Sequence, residues 1–309
     1  MHGTSSHAKK TDMRFLFYSL MRFLAMWPLQ WLRVLGHGFG VLLFKMARSR
    51  RDIVQTNLRL CFPEKSATEL HDLTRAHFVN FAQSLIDRAW LWHAPLEKVQ
   101  SRLIWVGTEE AFTQLSADTP RIIFAPHFVG LDAGGLAVTL RLKKPAAFIF
   151  VPQHNKLMDE WVNQGRQRNG NVKPYFRHEG VKQIMTGLRH GELLHLSPDM
   201  DFGPDESIFV PFMGVSAATV PSLSRFARLG RARVLTLVTR MTTQGYEIAL
   251  ADALDNFPTD DVVADTTRMN QVLEEAIRRS PAQYYWVHKR FKTRPDGEDS
   301  VYKKAEISR

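Results

Sequence analysis

Four apolar, strand-like runs separated by helical patterns constrain the fold of this chain more than any other feature. In chain order, the runs and patterns lie at 121–125, 130–141, 146–151, 156–168, 179–189, 192–197, 219–229 and 233–239. Such alternation is the signature of βαβ units. We therefore predict an α/β fold in which a mostly parallel sheet is flanked by helices. A last long helix is predicted from Asp260 to Arg279, with Thr259 or Asp260 as its cap and Pro281 after it.

Composition divides the chain into four predicted segments. They are a flexible tail at 1–12, a membrane-associating helical segment at 13–47, a helical region at 48–100 and the α/β domain at 101–309. We expect 48–309 to form one compact unit, since 44% of the residues are hydrophobic. Within the helical region, Ser66 and Glu69 have the spacing of a capping box.

The segment from Met13 to Phe44 is the most apolar and aromatic part of the chain. Charged residues interrupt it, so its uncharged runs are shorter than the ~18–20 residues that a membrane-crossing helix needs. Tryptophans at 27 and 31 suit a membrane interface, and arginines can extend toward headgroups. We predict a retained apolar helix that is steeply inserted or lies in the interface, with the basic residues after it on the cytoplasmic side. A buried helical hairpin is the alternative.

The charge balance indicates an anionic partner. Lys and Arg number 41 against 31 Asp and Glu, which gives a net charge of +10. Nucleic acid, an anionic membrane, a phosphorylated substrate and an acidic carrier protein all fit this charge. Nucleic acid is disfavoured because no recognised motif or interleaving of basic and aromatic residues is present. The single cysteine, Cys61, excludes an internal disulfide and is most simply a small buried apolar residue, and the histidines lack metal-ligand spacing.

A polar turn after the first strand-like run carries the main candidate for catalysis. His127 follows Pro126, and Asp132 comes five residues after the histidine, where a helical pattern opens. On one continuous helix the two side chains would be about 140° apart at ~100° per residue, so they meet only if His127 lies in the turn. Asp132 would then accept from one ring nitrogen and leave the other as a general base. A structural histidine and a helix-capping aspartate are the alternative.

Two further polar clusters follow elements of the predicted sheet. Arg166 and Arg168 end one helical pattern, where their planar guanidinium groups can hold a phosphate or can simply favour the helix C-terminus. Asp199 and Asp201 lie in an acidic loop after the third strand-like run. This loop can bind a metal, order the arginines or form an ordinary turn.

Motifs along nearly the whole chain resemble those of the late lipid A acyltransferases, within the lysophospholipid acyltransferase-like superfamily. They are Asn57-Leu58, Cys61-Phe62-Pro63-Glu64, His127-x4-Asp132, Val151-Pro152, Asn155, Gly165-Arg166-x-Arg168, Pro198-Asp199-x-Asp201-Phe202-Gly203-Pro204, Phe209-Val210-Pro211-Phe212 and Trp286-x-His288-Lys289-Arg290-Phe291-Lys292-Thr293-Arg294-Pro295. The set is specific, whereas the His-x4-Asp motif alone is shared with glycerolipid acyltransferases. The best known members have Glu at position 132, so Asp132 is a departure.

The resemblance implies an inner-membrane enzyme that faces the cytoplasm and uses no cofactor. It implies transfer of an acyl chain from acyl carrier protein to a hydroxyl group of a phosphorylated lipid A precursor. His127 would take the hydroxyl proton, and backbone N–H groups around Gly130 would stabilise the oxyanion. Arg166 and Arg168 would bind a phosphate or the reacting acyl group, with Asp199 orienting them, and the positive charge would serve both anionic partners. Asp201 belongs to the same predicted substrate-binding set.

Two other functions remain open from the sequence. Acylation of a lysophospholipid or an ornithine lipid is the nearest rival, because glycerolipid acyltransferases also carry Asp at position 132. The acidic loop of this chain differs, however, from the Phe-Pro-Glu-Gly-Thr-Arg-Ser-like block of those enzymes. A basic membrane-binding protein without catalytic activity is the third hypothesis.

Overall fold

The computed structural model describes residues 4–142, 145–176 and 181–302, with side chains described from Met13 onward. The helices are α1 Thr4–Ala25, α2 Leu29–Met46, α3 Arg48–Cys61, α4 Ala67–His93, α5 Leu96–Gln100, α6 Glu109–Ser116, α7 Leu131–Arg141, α8 Lys156–Arg166, α9 Val181–Arg189, α10 Ser222–Gly230 and α11 Val262–Arg279. The strands are β1 Leu103–Gly107, β2 Arg121–Phe124, β3 Ala146–Phe150, β4 Val172–Phe176, β5 Leu193–Leu196, β6 Ile208–Phe212, β7 Val215–Thr219, β8 Arg233–Met241 and β9 Tyr246–Ala253.

Seven of the strands form one mixed sheet with the order β1-β9-β8-β2-β5-β3-β4. All neighbouring pairs are parallel except β8 and β9, so the predicted mostly parallel α/β fold is confirmed. Every side chain of β2 and β5 is buried, as expected for central strands covered on both faces. Ile122 and Phe124 pack into one hydrophobic cluster and Ile123 into another, which places a core on each side of the sheet.

The four predicted strand-like runs correspond to β2, β3, β5 and β8, whereas five strands were not predicted. β4 is an edge strand that includes Lys173 and Pro174, and it therefore lacks the apolar pattern of the central strands. The helix predicted over 179–189 corresponds to α9. Its first two predicted positions, 179 and 180, lie outside the described residues, which resume at Val181. The cap of α11 is Asp261, one residue later than predicted, because its carboxylate accepts from the N–H groups of Val263 and Ala264.

The predicted capping box of α4 is confirmed, since the Ser66 hydroxyl accepts from the Glu69 N–H and the Glu69 carboxylate accepts from the Ser66 N–H. Cys61 is buried in the core, as expected for a small apolar residue.

The N-terminal apolar segment forms two helices rather than one. The chain turns after α1, and α2 begins behind Pro28. Helix α1 begins at Thr4, within the predicted tail, and residues 1–3 lie outside the described residues. None of the described helices is long and apolar enough to cross a membrane.

Helix α2 packs closely along α4 because glycines face the contact. A Cβ added at Gly36 would lie 2.7 Å from the Gln83 Cα, and one added at Gly40 would lie 2.6 Å from the Val79 Cα. Arg33 interrupts the apolar pattern of α2 but is buried, where its Nε donates to Asp87 Oδ2 over 3.1 Å. One face of α2 is therefore fixed to the core.

The outward faces of α1 and α2, together called the α1–α2 surface, are apolar and exposed. The exposed side chains of this surface are Met13, Phe15, Leu16, Leu20, Phe23, Met26, Trp27, Trp31, Val34, Leu35, Phe39, Leu42 and Met46. The fully buried hairpin of the alternative prediction does not match this exposure. Contiguous apolar surfaces of this kind mark sites of contact with a membrane or with another protein.

Candidate active site

The strand order brings His127 and Asp199 together. Strands β2 and β5 are parallel neighbours, so their carboxyl ends open at the same edge of the sheet. His127 follows the end of β2, and Asp199 follows the end of β5. The His127 N–H donates to Asp199 Oδ2 over 2.9 Å, and the His127 Nδ1 lies 2.7 Å from Asp199 Oδ1. Both carboxylate oxygens of Asp199 are therefore engaged by one histidine.

This geometry assigns the proton on the His127 ring. An ionised carboxylate can only accept hydrogen bonds, so Nδ1 must carry the hydrogen that lies toward Asp199. Burial raises the pKa of Asp199, but the charge of His127 and its two hydrogen bonds outweigh burial and bring this pKa to about 2. The aspartate is thus ionised, and with the hydrogen on Nδ1 the Nε2 of His127 is the ring nitrogen that can accept a proton. The pair is suited to general-base catalysis.

The C-terminal part of the chain holds the loop of His127 in place. The Tyr285 N–H donates to the His127 carbonyl over 2.8 Å, and the Val129 N–H donates to the Gln283 carbonyl over 2.8 Å. Between them, Phe128 and Tyr284 form an antiparallel bridge. The Tyr285 ring also lies 6.2 Å from the His127 ring, centroid to centroid. Residues far apart in the chain therefore fix the histidine backbone on two sides.

The predicted hydrogen bond between Asp132 and His127 is corrected by the structure. Asp132 lies in the first turn of α7, as expected, but its Oδ2 accepts from Arg88 Nε and its Oδ1 accepts from Arg166 Nε, each over 2.8 Å. Burial raises the pKa of Asp132, yet the charges of Arg166 and Arg88 and their hydrogen bonds hold it well below its usual range. Asp132 is therefore an ionised anchor for two arginines.

Arg166 and Arg168 are separated in space although they are adjacent in the predicted motif. The Arg166 guanidinium stacks 5.6 Å above the Phe150 ring beside Asp132. Arg168 instead donates to the backbone carbonyls of Leu91 and Ala94, at 2.7 Å for Ala94, where α4 ends. The Arg168 guanidinium thus caps the C-terminus of α4, and its role in substrate binding stays a prediction.

The two aspartates of the acidic loop also have separate roles. Asp199 contacts His127, so the prediction that it orients the arginines is corrected. Asp201 accepts from the Thr293 N–H over 2.7 Å and from the Thr293 hydroxyl over 2.8 Å. It also accepts from the Gly203 N–H over 3.0 Å. Asp201 therefore ties the loop to the C-terminal segment and occupies its carboxylate with protein contacts rather than with a predicted substrate.

Gly130 is the N-cap of α7, directly after the loop of His127. A Cβ at this position would lie 2.7 Å from both the Thr239 Cγ2 and the Thr239 carbonyl oxygen, so only glycine lets α7 approach β8 this closely. Among the described residues, no hydrogen bond engages the Gly130 N–H. The buried Gly130 N–H therefore has no partner within the part of the chain that the structure describes.

Two further residues of the site could not be predicted from the sequence. Arg88 lies near the C-terminal end of α4, and nothing in the sequence around it distinguishes it from other charged helix residues. His195 is buried in β5 and stacks on Phe148 with the ring centroids 4.5 Å apart. Burial, together with the charges of Arg166 and His127, lowers the His195 pKa to about 3, so this ring is neutral. In the part of the chain that the structure describes, no group of three or more acidic, histidine or cysteine side chains is placed to hold a metal ion.

Fold and site together define an α/β protein with a carboxylate-supported histidine at the carboxyl edge of its sheet. Residues 2–293 match the family described as bacterial lipid A biosynthesis acyltransferase. The chain is 31% identical over 272 residues to the lipid A biosynthesis palmitoleoyltransferase of Escherichia coli K12, with 87% of each chain covered. It is 31% identical over 271 residues to the lauroyltransferase of the same organism, again with 87% of each chain covered.

A crystal structure of the 1-acyl-sn-glycerophosphate acyltransferase of Thermotoga maritima superimposes with a TM-score of 0.38 and 12% identity, covering 82% of this chain and 98% of that one. The chain belongs to the bacterial lipid A biosynthesis acyltransferase family. It is accordingly an acyltransferase, and the resemblance that its motifs indicated is confirmed.

Proposed function

We propose that this acyltransferase moves a fatty acyl chain from acyl carrier protein to a hydroxyl group of a phosphorylated lipid A precursor, with His127 as general base. Family membership supports the reaction class, and the single observation that carries the mechanism is the pair of hydrogen bonds between His127 and Asp199. A hydroxyl group is a poor nucleophile at neutral pH, and removing its proton as it attacks contributes roughly 10²–10⁴-fold in rate.

The proposed step conserves atoms and charge. His127 Nε2 takes the proton of the acceptor hydroxyl while its oxygen attacks the thioester carbonyl carbon. The C–S bond then breaks, and the protonated histidine returns the proton to the departing thiolate. Asp199 stabilises the imidazolium through the Nδ1 hydrogen bond, which is 2.7 Å long. The acceptor hydroxyl takes the place of a serine nucleophile, so no acyl-enzyme forms.

The developing oxyanion needs hydrogen-bond donors, and the Gly130 N–H is the proposed one. It lies at the start of α7, where the positive end of the helix dipole favours a negative charge. The neighbouring N–H groups of Val129 and Leu131 are used within the protein, since they donate to Gln283 and Phe128. Gly130 therefore supplies the donor of this turn that the fold leaves unpaired among the described residues.

The exposed apolar α1–α2 surface supports a proposed location at the cytoplasmic face of the inner membrane. Its side chains can enter the interfacial region, while the basic residues at the start of α3 contact anionic headgroups. In this arrangement α1 and α2 lie in the interface and the catalytic domain remains in the cytoplasm. The lipid acceptor then reaches the protein without leaving the bilayer.

Reconstitution tests the proposed reaction directly. Purified full-length protein, acyl carrier protein charged with labelled fatty acid and a phosphorylated lipid A precursor should yield a product heavier by one acyl group. Mass spectrometry of lipids from a deletion strain should show the same acyl group missing from lipid A. If lipid A is unchanged and a phospholipid or an ornithine lipid loses the acyl group instead, the proposed acceptor is wrong.

A further inference from the structure

The strongest unassigned feature is the pair of guanidinium groups on either side of Asp132. Arg88 comes from α4 and Arg166 from the end of α8, and each donates its Nε–H to a different oxygen of the same carboxylate. Aromatic rings restrain the planes of both guanidinium groups. The Cζ of Arg88 lies 5.6 Å from the centroid of the Trp92 ring, and the Cζ of Arg166 lies 5.6 Å from that of Phe150. Two elements far apart in the chain thus present two arginines with restrained orientation.

The terminal nitrogens of both arginines remain available. In a guanidinium group the Nε–H edge and the terminal edge point in different directions, so a carboxylate on Nε leaves the terminal N–H groups for another acceptor. Within the described residues, those terminal nitrogens of Arg88 and Arg166 make no hydrogen bond to the protein. Their side chains are 25% and 31% exposed, so a ligand can reach them.

The net charge of the cluster around Asp132 favours binding of an anion. One guanidinium would suffice to neutralise Asp132, and the second leaves the cluster with a net charge of +1. The nearby ring of His195 adds no charge, because burial is the main cause that lowers its pKa to about 3. A partly buried net positive charge is unfavourable unless an anion or solvent compensates it. Arginine pairs with planar, restrained forks are the usual protein partners of phosphate oxygens.

We propose that Arg88 and Arg166 together bind a phosphate ester of one substrate and that Arg88 is a substrate-positioning residue of the reaction. The inference rests on the proposed function. It extends that function by naming a second arginine and by giving Asp132 the task of holding both. The site lies beside the loop of the general base, since Asp132 is in the first turn of α7, which begins directly after that loop. The phosphate belongs either to the glycolipid acceptor or to the phosphodiester in the prosthetic arm of the carrier protein.

The experiment compares initial rates for the wild type, Arg88→Ala and Arg88→Lys, with Arg75→Ala as the matched control. Arg75 is an exposed arginine of the same helix. One arm uses the phosphorylated lipid A precursor and the same lipid with its phosphates removed. The other arm uses the acyl carrier protein thioester and an acyl thioester of N-acetylcysteamine, which has no phosphate.

Arg88→Ala should raise KM by about 10- to 100-fold for one phosphorylated substrate, because a charge-assisted contact is lost. The kcat should change by only a few fold, and KM for the phosphate-free form of that substrate should not change. Arg88→Lys should give an intermediate KM, because it keeps the charge without the fork. The arm in which the difference appears identifies the source of the phosphate. Equal effects on both forms in both arms, or an Arg88→Ala variant that behaves like Arg75→Ala, would overturn the proposal.

A binding measurement separates this inference from the proposed reaction. Inorganic phosphate at millimolar concentration should raise the melting temperature of the wild type and of Arg75→Ala, but not that of Arg88→Ala. If the wild type transfers no acyl group, the proposed function fails and this melting comparison still decides the phosphate site. An equal phosphate effect on all three proteins, or none on any, contradicts the site.

Discussion

His127 and Asp199 are joined twice, through the histidine backbone and through its ring. The 2.9 Å bond from the His127 N–H places the loop, and the 2.7 Å bond at Nδ1 sets the ring and its tautomer. The two residues are 72 positions apart in the chain, so only the pairing of β2 with β5 brings them together. Asp199 therefore has the supporting role that the sequence motif suggested for Asp132.

The first prediction concerns the carboxylate of Asp199. Asp199→Asn should lower kcat by about 10²–10⁴-fold, because an amide stabilises the imidazolium poorly and can orient the wrong tautomer. Asp201→Asn is the matched control, since Asp201 lies in the same loop but contacts Thr293 and Gly203 instead of His127. The control variant should lower the melting temperature and leave kcat nearly unchanged. A similar loss of kcat in both variants would point to a general effect on the loop.

Arg168 should contribute to the stability of the fold rather than to substrate binding. Its guanidinium donates to the carbonyls of Leu91 and Ala94, which end α4, so Arg168→Ala removes two hydrogen bonds worth about 1 kcal/mol each. We expect a free energy of unfolding lower by about 1–3 kcal/mol and a near-normal KM once the protein is folded. Denaturant unfolding and initial rates measure the two quantities. A raised KM with unchanged stability would restore Arg168 as a substrate-binding residue.

Acid should destabilise the fold through its buried histidines. Burial lowers the pKa of His77 and His288 to about 4 and that of His195 to about 3, against 6.5 for an unperturbed histidine. Below pH 6.5 the unfolded chain binds these protons and the folded chain does not, so stability falls with pH until the folded pKa values are reached.

Each such histidine contributes a slope of about 1.4 kcal/mol per pH unit between pH 6 and pH 4.5. His195→Phe should remove one such contribution, since a phenyl ring can keep the stacking on Phe148 and binds no proton. Melting temperatures across this pH range, at constant ionic strength, measure the slope. An identical slope in the variant and the wild type would show that His195 is not protonated on unfolding.

The α1–α2 surface should govern membrane attachment. Phe15 and Leu16 are 76% and 70% exposed on α1, and the double replacement Phe15→Glu with Leu16→Glu places two charges on the apolar face. We expect a clear shift of the protein from the membrane pellet to the supernatant on fractionation. Val263→Glu is the control, because Val263 is 53% exposed on α11, outside the α1–α2 surface. Full retention of the double variant in the membrane would place the attachment elsewhere.

The alternating pattern was sufficient to predict the central strands, because β2, β5 and β8 are largely buried and their residues are mostly apolar. The same pattern could not reveal β4, whose edge position tolerates Lys173 and Pro174. Strand order is not encoded locally, so the contact between His127 and Asp199 could not be predicted from the sequence. Motif spacing instead favoured Asp132, the carboxylate nearest in sequence.

The contacts of the arginines also could not be predicted from their spacing in the sequence. Arg166 and Arg168 form one motif in the sequence, but the chain turns at the end of α8 and sends their guanidinium groups to different neighbours. Arg88 carries no motif at all, and it joins the site only because α4 packs beside the start of α7. Pairing preferences of charged side chains depend on the tertiary fold, which the spacing of residues along the chain does not contain.

A double-mutant cycle on His127 and Asp199 tests the central claim most directly. Single-turnover acyl transfer should be measured for His127→Ala, Asp199→Asn and the combined variant, with melting temperatures to confirm that each is folded. If Asp199 acts through the histidine, His127→Ala should lose about 10³-fold or more in rate, and the combined variant should be no slower than His127→Ala alone. Additive losses in the combined variant, or substantial activity in a folded His127→Ala protein, would contradict the account.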